Sequence, residues 1–178
     1  AAVTSEVRRM GGAFGGKESQ ATSFAGIAAL LAWKTGKSVK LRLPRDDDMR
    51  VTGKRHPFLI RWDVGCDDEG RILALDMVLA SESGHVADQT PAVLTRALCH
   101  ADNCYWLPNV RLRGLPCKTN TVSNTAFRGF GGPQGMFGIE TVVDVIARTL
   151  KIPTDRVRAK NYYGIGENDV TPYLMRVE

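Results

Sequence analysis

The chain has 178 residues, 43% hydrophobic and 24% charged, the balance of one soluble globular domain with a core of its own. A net charge of +5, from 24 Lys and Arg against 19 Asp and Glu, is spread along the chain without interleaved aromatics, which excludes a nucleic-acid-binding signature. The longest apolar run, residues 24–33, is about half of a membrane span, which excludes a transmembrane segment.

The first residue is not Met, and residues 1–7 read as a strand already under way. The chain is therefore expected to be a piece of a longer polypeptide, residues 1–178 belonging to a single partial domain. A glycine-rich loop follows, Arg9-Met-Gly-Gly-Ala-Phe-Gly-Gly-Lys-Glu18. Residues 17–37 predict a helix with Phe24, Ile27, Ala28 and Leu31 on one face and Gly36 placed to end it. A strand over 38–43 and an acidic connection through Asp46, Asp47 and Asp48 come next. Alternating residues over 58–64 and 71–79, joined by Asp67-Asp-Glu-Gly70, predict a β-hairpin.

Pro91 fits the first turn of a helix whose stripe is Val93, Leu94, Ala97, Leu98 and Ala101. A strand over 109–117 leads into the second glycine-rich loop, Thr125-Ala-Phe-Arg-Gly-Phe-Gly-Gly-Pro-Gln134. Pro133 then opens a helix patterned on Met136, Ile139, Val143, Ile146 and Leu150, and a short helix over 153–162 precedes a weakly patterned tail. This order of elements predicts an α+β fold, a mixed sheet with a hairpin and packed helices.

The two glycine loops carry the chemistry. Each embeds aromatic and charged side chains in glycines, which permit positive φ and close backbone approach. Ordering so much glycine is entropically costly, so simple linkers are a poor explanation and a binding site a good one. Gly11, Gly16 and Lys17 nearly match a phosphate-binding G-x-x-x-x-G-K, but Glu18 stands where Ser or Thr would hold Mg²⁺ and would repel the triphosphate. Asp76 ends a run that superficially suits the partner strand of such a site, yet that run lies in a hairpin arm. The four cysteines, Cys66, Cys99, Cys104 and Cys117, lack metal or cluster spacing, so free thiols in a reducing, cytoplasmic compartment are expected, with no metal bound by protein side chains. His56, His85 and His100 show no partner spacing and read as structural.

Taken in order, the first loop, Arg55-His-Pro-Phe58, Arg96-Ala-Leu-Cys-His-Ala-Asp-Asn-Cys-Tyr105 and the second loop together resemble the molybdenum-cofactor-binding part of the xanthine dehydrogenase and aldehyde oxidase family. The resemblance implies that Phe14 and Gly15 lie against the molybdenum–molybdopterin centre and that Arg128 contacts the cofactor. It implies that Phe130 packs on the substrate ring and that Glu18 with Arg96 binds purine edges, where other members carry uncharged residues. The implied reaction hydroxylates xanthine or hypoxanthine. Electrons leave through iron–sulfur clusters and FAD, elsewhere in the parent enzyme, to NAD. The catalytic base, a glutamate in related enzymes, is expected outside these residues, so the chain alone is expected to be inactive and to need the rest of the parent chain, or an FAD and iron–sulfur subunit, and an oligomer is expected.

Each residue has a plainer reading when taken singly. Glu18 at a helix start suits the macrodipole, Arg96 a solvated surface, Phe14 and Phe130 a core, and Arg128 a helix cap or an ion pair. An aldehyde oxidase or another hydroxylase of the same family is the alternative to a purine enzyme, and a degenerate, non-catalytic scaffold is a third.

Overall fold

The computed structural model describes residues 2–8 and 11–164. In chain order these form α1 (Ala21–Thr35), α2 (Arg45–Val51), β1 (Phe58–Cys66), β2 (Ile72–Gly84), α3 (Thr90–Cys99), β3 (Val110–Lys118), α4 (Gly132–Leu150) and α5 (Thr154–Asn161). The mixed α+β expectation holds. The sheet runs in the order β1-β2-β3, the first pair antiparallel and the second parallel.

Alternation builds the sheet. Phe58, Ile60, Trp62 and Val64 of β1 turn to the same side as Leu75, Met77 and Leu79 of β2, and α3 and α4 cover that side. A register shift at Gly65/Cys66 breaks the phase, so Ile72 is buried, Leu73 and Ala74 are exposed, and Leu75 is buried again. Beyond residue 79, where alternation of large apolar residues stops, β2 continues through Ser81 and Ser83, both buried. Strand β2 also pairs in parallel with β3, and the crossover between them carries α3. The run ending at Asp76 is thus both a hairpin arm and part of a parallel crossover, where the sequence suggested the hairpin alone.

Helix α4 opens at Gly132, one residue before Pro133, and buries Gly135, Gly138, Ile139, Val142, Val143, Ile146 and Ala147. Met136 lies off that face. At Gly135 there is no room for a side chain, since a Cβ would lie 2.2 Å from the Ala97 carbonyl oxygen, and at Gly138 the fit is tight, a Cβ lying 3.2 Å from Ile60 Cδ1, which would have to shift.

Polar side chains fasten the far end. Glu140 accepts hydrogen bonds from Tyr105 Oη (2.6 Å), Asn103 Nδ2 (3.0 Å) and Arg158 Nε (2.9 Å), and Arg158 also reaches Asp144 (3.1 Å). Partial burial pulls the Glu140 carboxyl up, but the bonds from Tyr105 and Arg158 outweigh it and hold the group below the usual range. Asn161, buried in α5, accepts from Ile72 N and donates to the Gly70 and Val157 carbonyls, each at 2.8 Å.

Several expectations fail on the N-terminal side. Residues 2–8 and 38–43 form no strand; they have no sheet partner among the described residues, and an unpaired strand lacks the ladder that would define it. The acidic connection is the short helix α2, its first turn holding Asp46, Asp47 and Asp48 where the helix dipole favours them. Helix α1 begins at Ala21 rather than 17 and closes on Gly36 in the left-handed region (φ 65°) as expected, yet none of its residues is buried, and Ile27, Leu30, Leu31 and Trp33 are exposed. No helix among the described residues is long and apolar enough to cross a membrane.

Candidate cofactor and substrate site

Both glycine loops set a phenylalanine next to glycines of positive φ. In the first, Phe14, Gly15 and Gly16 have φ of 49°, 90° and 82°; in the second, Gly129, Phe130 and Gly131 have φ of 92°, 49° and 95°. Each run therefore sets one phenylalanine in the left-handed region, a conformation costing on the order of 1–3 kcal/mol for a non-glycine residue. The surroundings must enforce it.

The loops meet main chain to main chain. A Cβ at Gly15 would stand 2.6 Å from the Ala126 carbonyl oxygen and 2.7 Å from Phe127 Cα. The second loop in turn presses on α3, where a Cβ at Gly131 would come within 2.0 Å of the Val93 carbonyl oxygen. Residues 14–16, residues 126–131 and the middle of α3 thus form one contiguous joint.

Anchors hold its edges. Ser19 Oγ donates to Asp88 Oδ1 (2.5 Å), Gln20 Nε2 to Asp88 Oδ2 (3.3 Å), and Gly53 N to Gln20 Oε1 (2.7 Å). Asp88 precedes α3, so the end of the first loop is tied to the start of the helix that carries Arg96. On the second loop, Thr125 N donates to the Lys54 carbonyl (3.0 Å), Arg55 Nη2 to the Arg128 carbonyl (2.7 Å), and Gln134 Nε2 to the His56 carbonyl (3.3 Å). The Arg55 guanidinium also lies 4.4 Å from the centroid of the Phe127 ring. Sequence reading quoted Arg55 as part of a motif and gave it no role; its partners are 72 and 73 residues away, a separation no local pattern carries.

The residues singled out in the sequence differ in exposure. Phe14 is 74% exposed, so its ring is not part of the core of this chain. Glu18 is exposed, precedes α1 by three residues and accepts only from Lys17 N (3.0 Å), so it is not in the first helical turn where the dipole would account for it. Arg96 projects from α3 away from its buried residues Thr90, Val93, Leu94 and Ala97. Among the described residues, neither the Arg96 nor the Arg128 side chain makes a hydrogen bond or ion pair, so Arg128 is neither a cap nor half of a pair. Phe130 is half-buried. Arg9 and Met10 lie outside the described residues.

Donors for an anionic group are present as well. Among the described residues, no backbone N–H of residues 11–16 donates to a protein acceptor. Uncapped amides on a positive-φ glycine turn and an exposed guanidinium on the neighbouring loop are groups that can bind an anion. No group of three or more His, Cys, Asp and Glu that could hold a metal occurs among the described residues, and all four cysteines are free.

Residues 1–162 match the family described as the molybdopterin cofactor-binding domain. The chain belongs to that family. This molybdopterin cofactor-binding domain is 47% identical over 171 residues to nicotinate hydroxylase of Emericella nidulans, which covers 96% of the chain and 12% of that protein. It is 48% identical over 172 residues to xanthine dehydrogenase/oxidase of Felis catus, covering 97% of the chain and 13% of that protein. Among solved structures, aldehyde oxidoreductase from Desulfovibrio gigas superposes with a TM-score of 0.80 at 31% identity, over 95% of this chain and 18% of that one. The domain thus spans about one-eighth of the length of the curated relatives it matches, at 12% and 13%.

Proposed function

We propose that this chain is one partial domain of a molybdenum-dependent hydroxylase acting on a purine, xanthine or hypoxanthine, and that it forms one wall of the cofactor and substrate site. The observation that carries the reading is the pair Glu18 and Arg96, both exposed, neither joined to the other, on the rim of the joint between the glycine loops. Among the described residues neither has an ion-pair partner, which leaves both charges available to a ligand.

In this reading the amides of Phe14 to Gly16 and the Arg128 guanidinium hold molybdopterin, and Phe130 lies against the substrate ring by offset or edge contact. When bound, the molybdenum centre supplies a redox-active metal that takes up the two electrons released as a ring carbon gains a hydroxyl group. The chain's own side chains bind and orient. Arg96 stabilises negative charge that builds on a ring carbonyl oxygen, and Glu18 exchanges a proton or hydrogen bonds with ring nitrogens. The base, the iron–sulfur clusters, FAD and the NAD site belong to the rest of the parent enzyme, which would be cytoplasmic and oligomeric.

Similarity to a protein named nicotinate hydroxylase favours a second reading, in which Arg96 pairs with the carboxylate of a pyridine substrate. Steady-state kcat/KM of the intact enzyme for xanthine, nicotinate and an aromatic aldehyde, with molybdenum content measured on the same sample, separates the readings. Replacing Glu18 by Val or Arg96 by Met should each remove roughly 2–5 kcal/mol of transition-state stabilisation for the purine without lowering molybdenum content. A preference for nicotinate or aldehyde at full molybdenum occupancy overturns the purine assignment.

A further inference from the structure

We infer that Arg55 is a positioning residue, holding the second glycine loop in the shape that turns Arg128 and Phe130 toward cofactor and substrate; this rests on the proposed reading of those two residues. The loop needs such a grip. Gly129, Phe130 and Gly131 are all left-handed, and a phenylalanine there reverts to an ordinary conformation unless its neighbours prevent it. Among the described residues, Arg55 is the only side chain that hydrogen-bonds to the backbone of residues 127–131.

Its guanidinium makes two contacts at once. Nη2 donates to the carbonyl of Arg128, on the peptide that leads into the left-handed run, while the flat face covers the Phe127 ring. A lysine ammonium, a compact point charge, cannot both lie over the ring and donate to that carbonyl in the same way. Arg55 is itself held from both sides: Gly53 N is bonded to Gln20 at the end of the first loop, and the buried His56 ring is bonded through Nε2 to Thr90 Oγ1 (2.8 Å) at the start of α3. Segment 53–56 is therefore a strut that touches both loops and the helix bearing Arg96, without itself meeting the substrate.

The test uses the intact holoenzyme with Arg55→Ala, Arg55→Lys, Arg128→Ala and Phe130→Ala. Arg55→Ala and Arg55→Lys should lower kcat by about 10- to 100-fold with little change in KM, since misplacing a site by about an ångström has that effect. Their melting temperatures should stay near wild type, and molybdenum should be lost faster on prolonged dialysis. Millimolar guanidinium should restore part of the kcat of Arg55→Ala and none of that of Arg55→Lys, whose ammonium fills the space. Wild-type kcat and molybdenum retention in both Arg55 variants would overturn the inference, and so would loss of melting temperature and activity together without guanidinium rescue. If Arg128→Ala and Phe130→Ala are also silent, the underlying site reading has failed; if they are impaired while the Arg55 variants are not, only this inference has.

Discussion

His56 shows how closely the site is packed. Its ring is 2% exposed, and burial lowers its pKa, with the nearby Asp88 carboxylate only partly opposing the shift. A histidine whose pKa falls on folding is held neutral in the native state, while the unfolded chain still takes up a proton near pH 6.5. Its contribution to stability is therefore complete above that pH and is lost as pH falls below it. Urea unfolding between about pH 8 and about pH 5 should show this decline, and His56→Gln should flatten it. The residues that matter divide by how they can be read. Glu18, Phe14, Arg128 and Phe130 are visible because they sit in motifs whose glycines advertise a loop, and Arg96, on a helix without glycine, is visible only through the family resemblance. Arg55 and Asp88 are not, because each acts on an atom far along the chain and its role exists only once the fold has brought the two ends together.

At the scale of elements, Asn161 is the clip between α5 and the β-hairpin, satisfying Ile72 N and the Gly70 carbonyl in the interior. Asn161→Ala would leave both groups buried without this partner and should lower the unfolding free energy by about 2–6 kcal/mol in urea titrations, at roughly 1–3 kcal/mol per orphaned group. The hairpin, α3 and α4 were legible because their apolar residues repeat with the period of the element that forms. The extension of β2 through Ser81, Glu82 and Ser83 was not, since its buried positions are small polar residues that carry no apolar alternation. The parallel pairing of β2 with β3 was not legible either; alternation marks a strand but not its neighbour. Residues 38–43 have the composition of a strand and lack only the partner that would make them one.

For the molecule as a whole, the uneven burial is informative. Helices α3, α4 and α5 close over the sheet and make a core, whereas α1 leaves Ile27, Leu30, Leu31 and Trp33 in contact with solvent. A chain covering 12% and 13% of its relatives would be expected to present such a surface to the remainder of a parent enzyme. Expressed by itself it should contain well under stoichiometric molybdenum by elemental analysis and should self-associate through α1 in size-exclusion chromatography. Retention of molybdopterin through purification would contradict the expectation.

The joint between Gly15 and the Ala126–Phe127 backbone has a consequence for how such proteins diversify. Its closest contacts run between main chains, where a side chain has no room, and side chains such as Arg55 brace it from outside. Among the described residues Glu18 and Arg96 form no ion pair, so exchanging either should spare the joint, whereas a Cβ at Gly15 or Gly131 would collide with backbone. A lineage built on this joint can change its chemical taste one side chain at a time while its architecture stands still, and proteins named for nicotinate and for xanthine can resemble one chain almost equally.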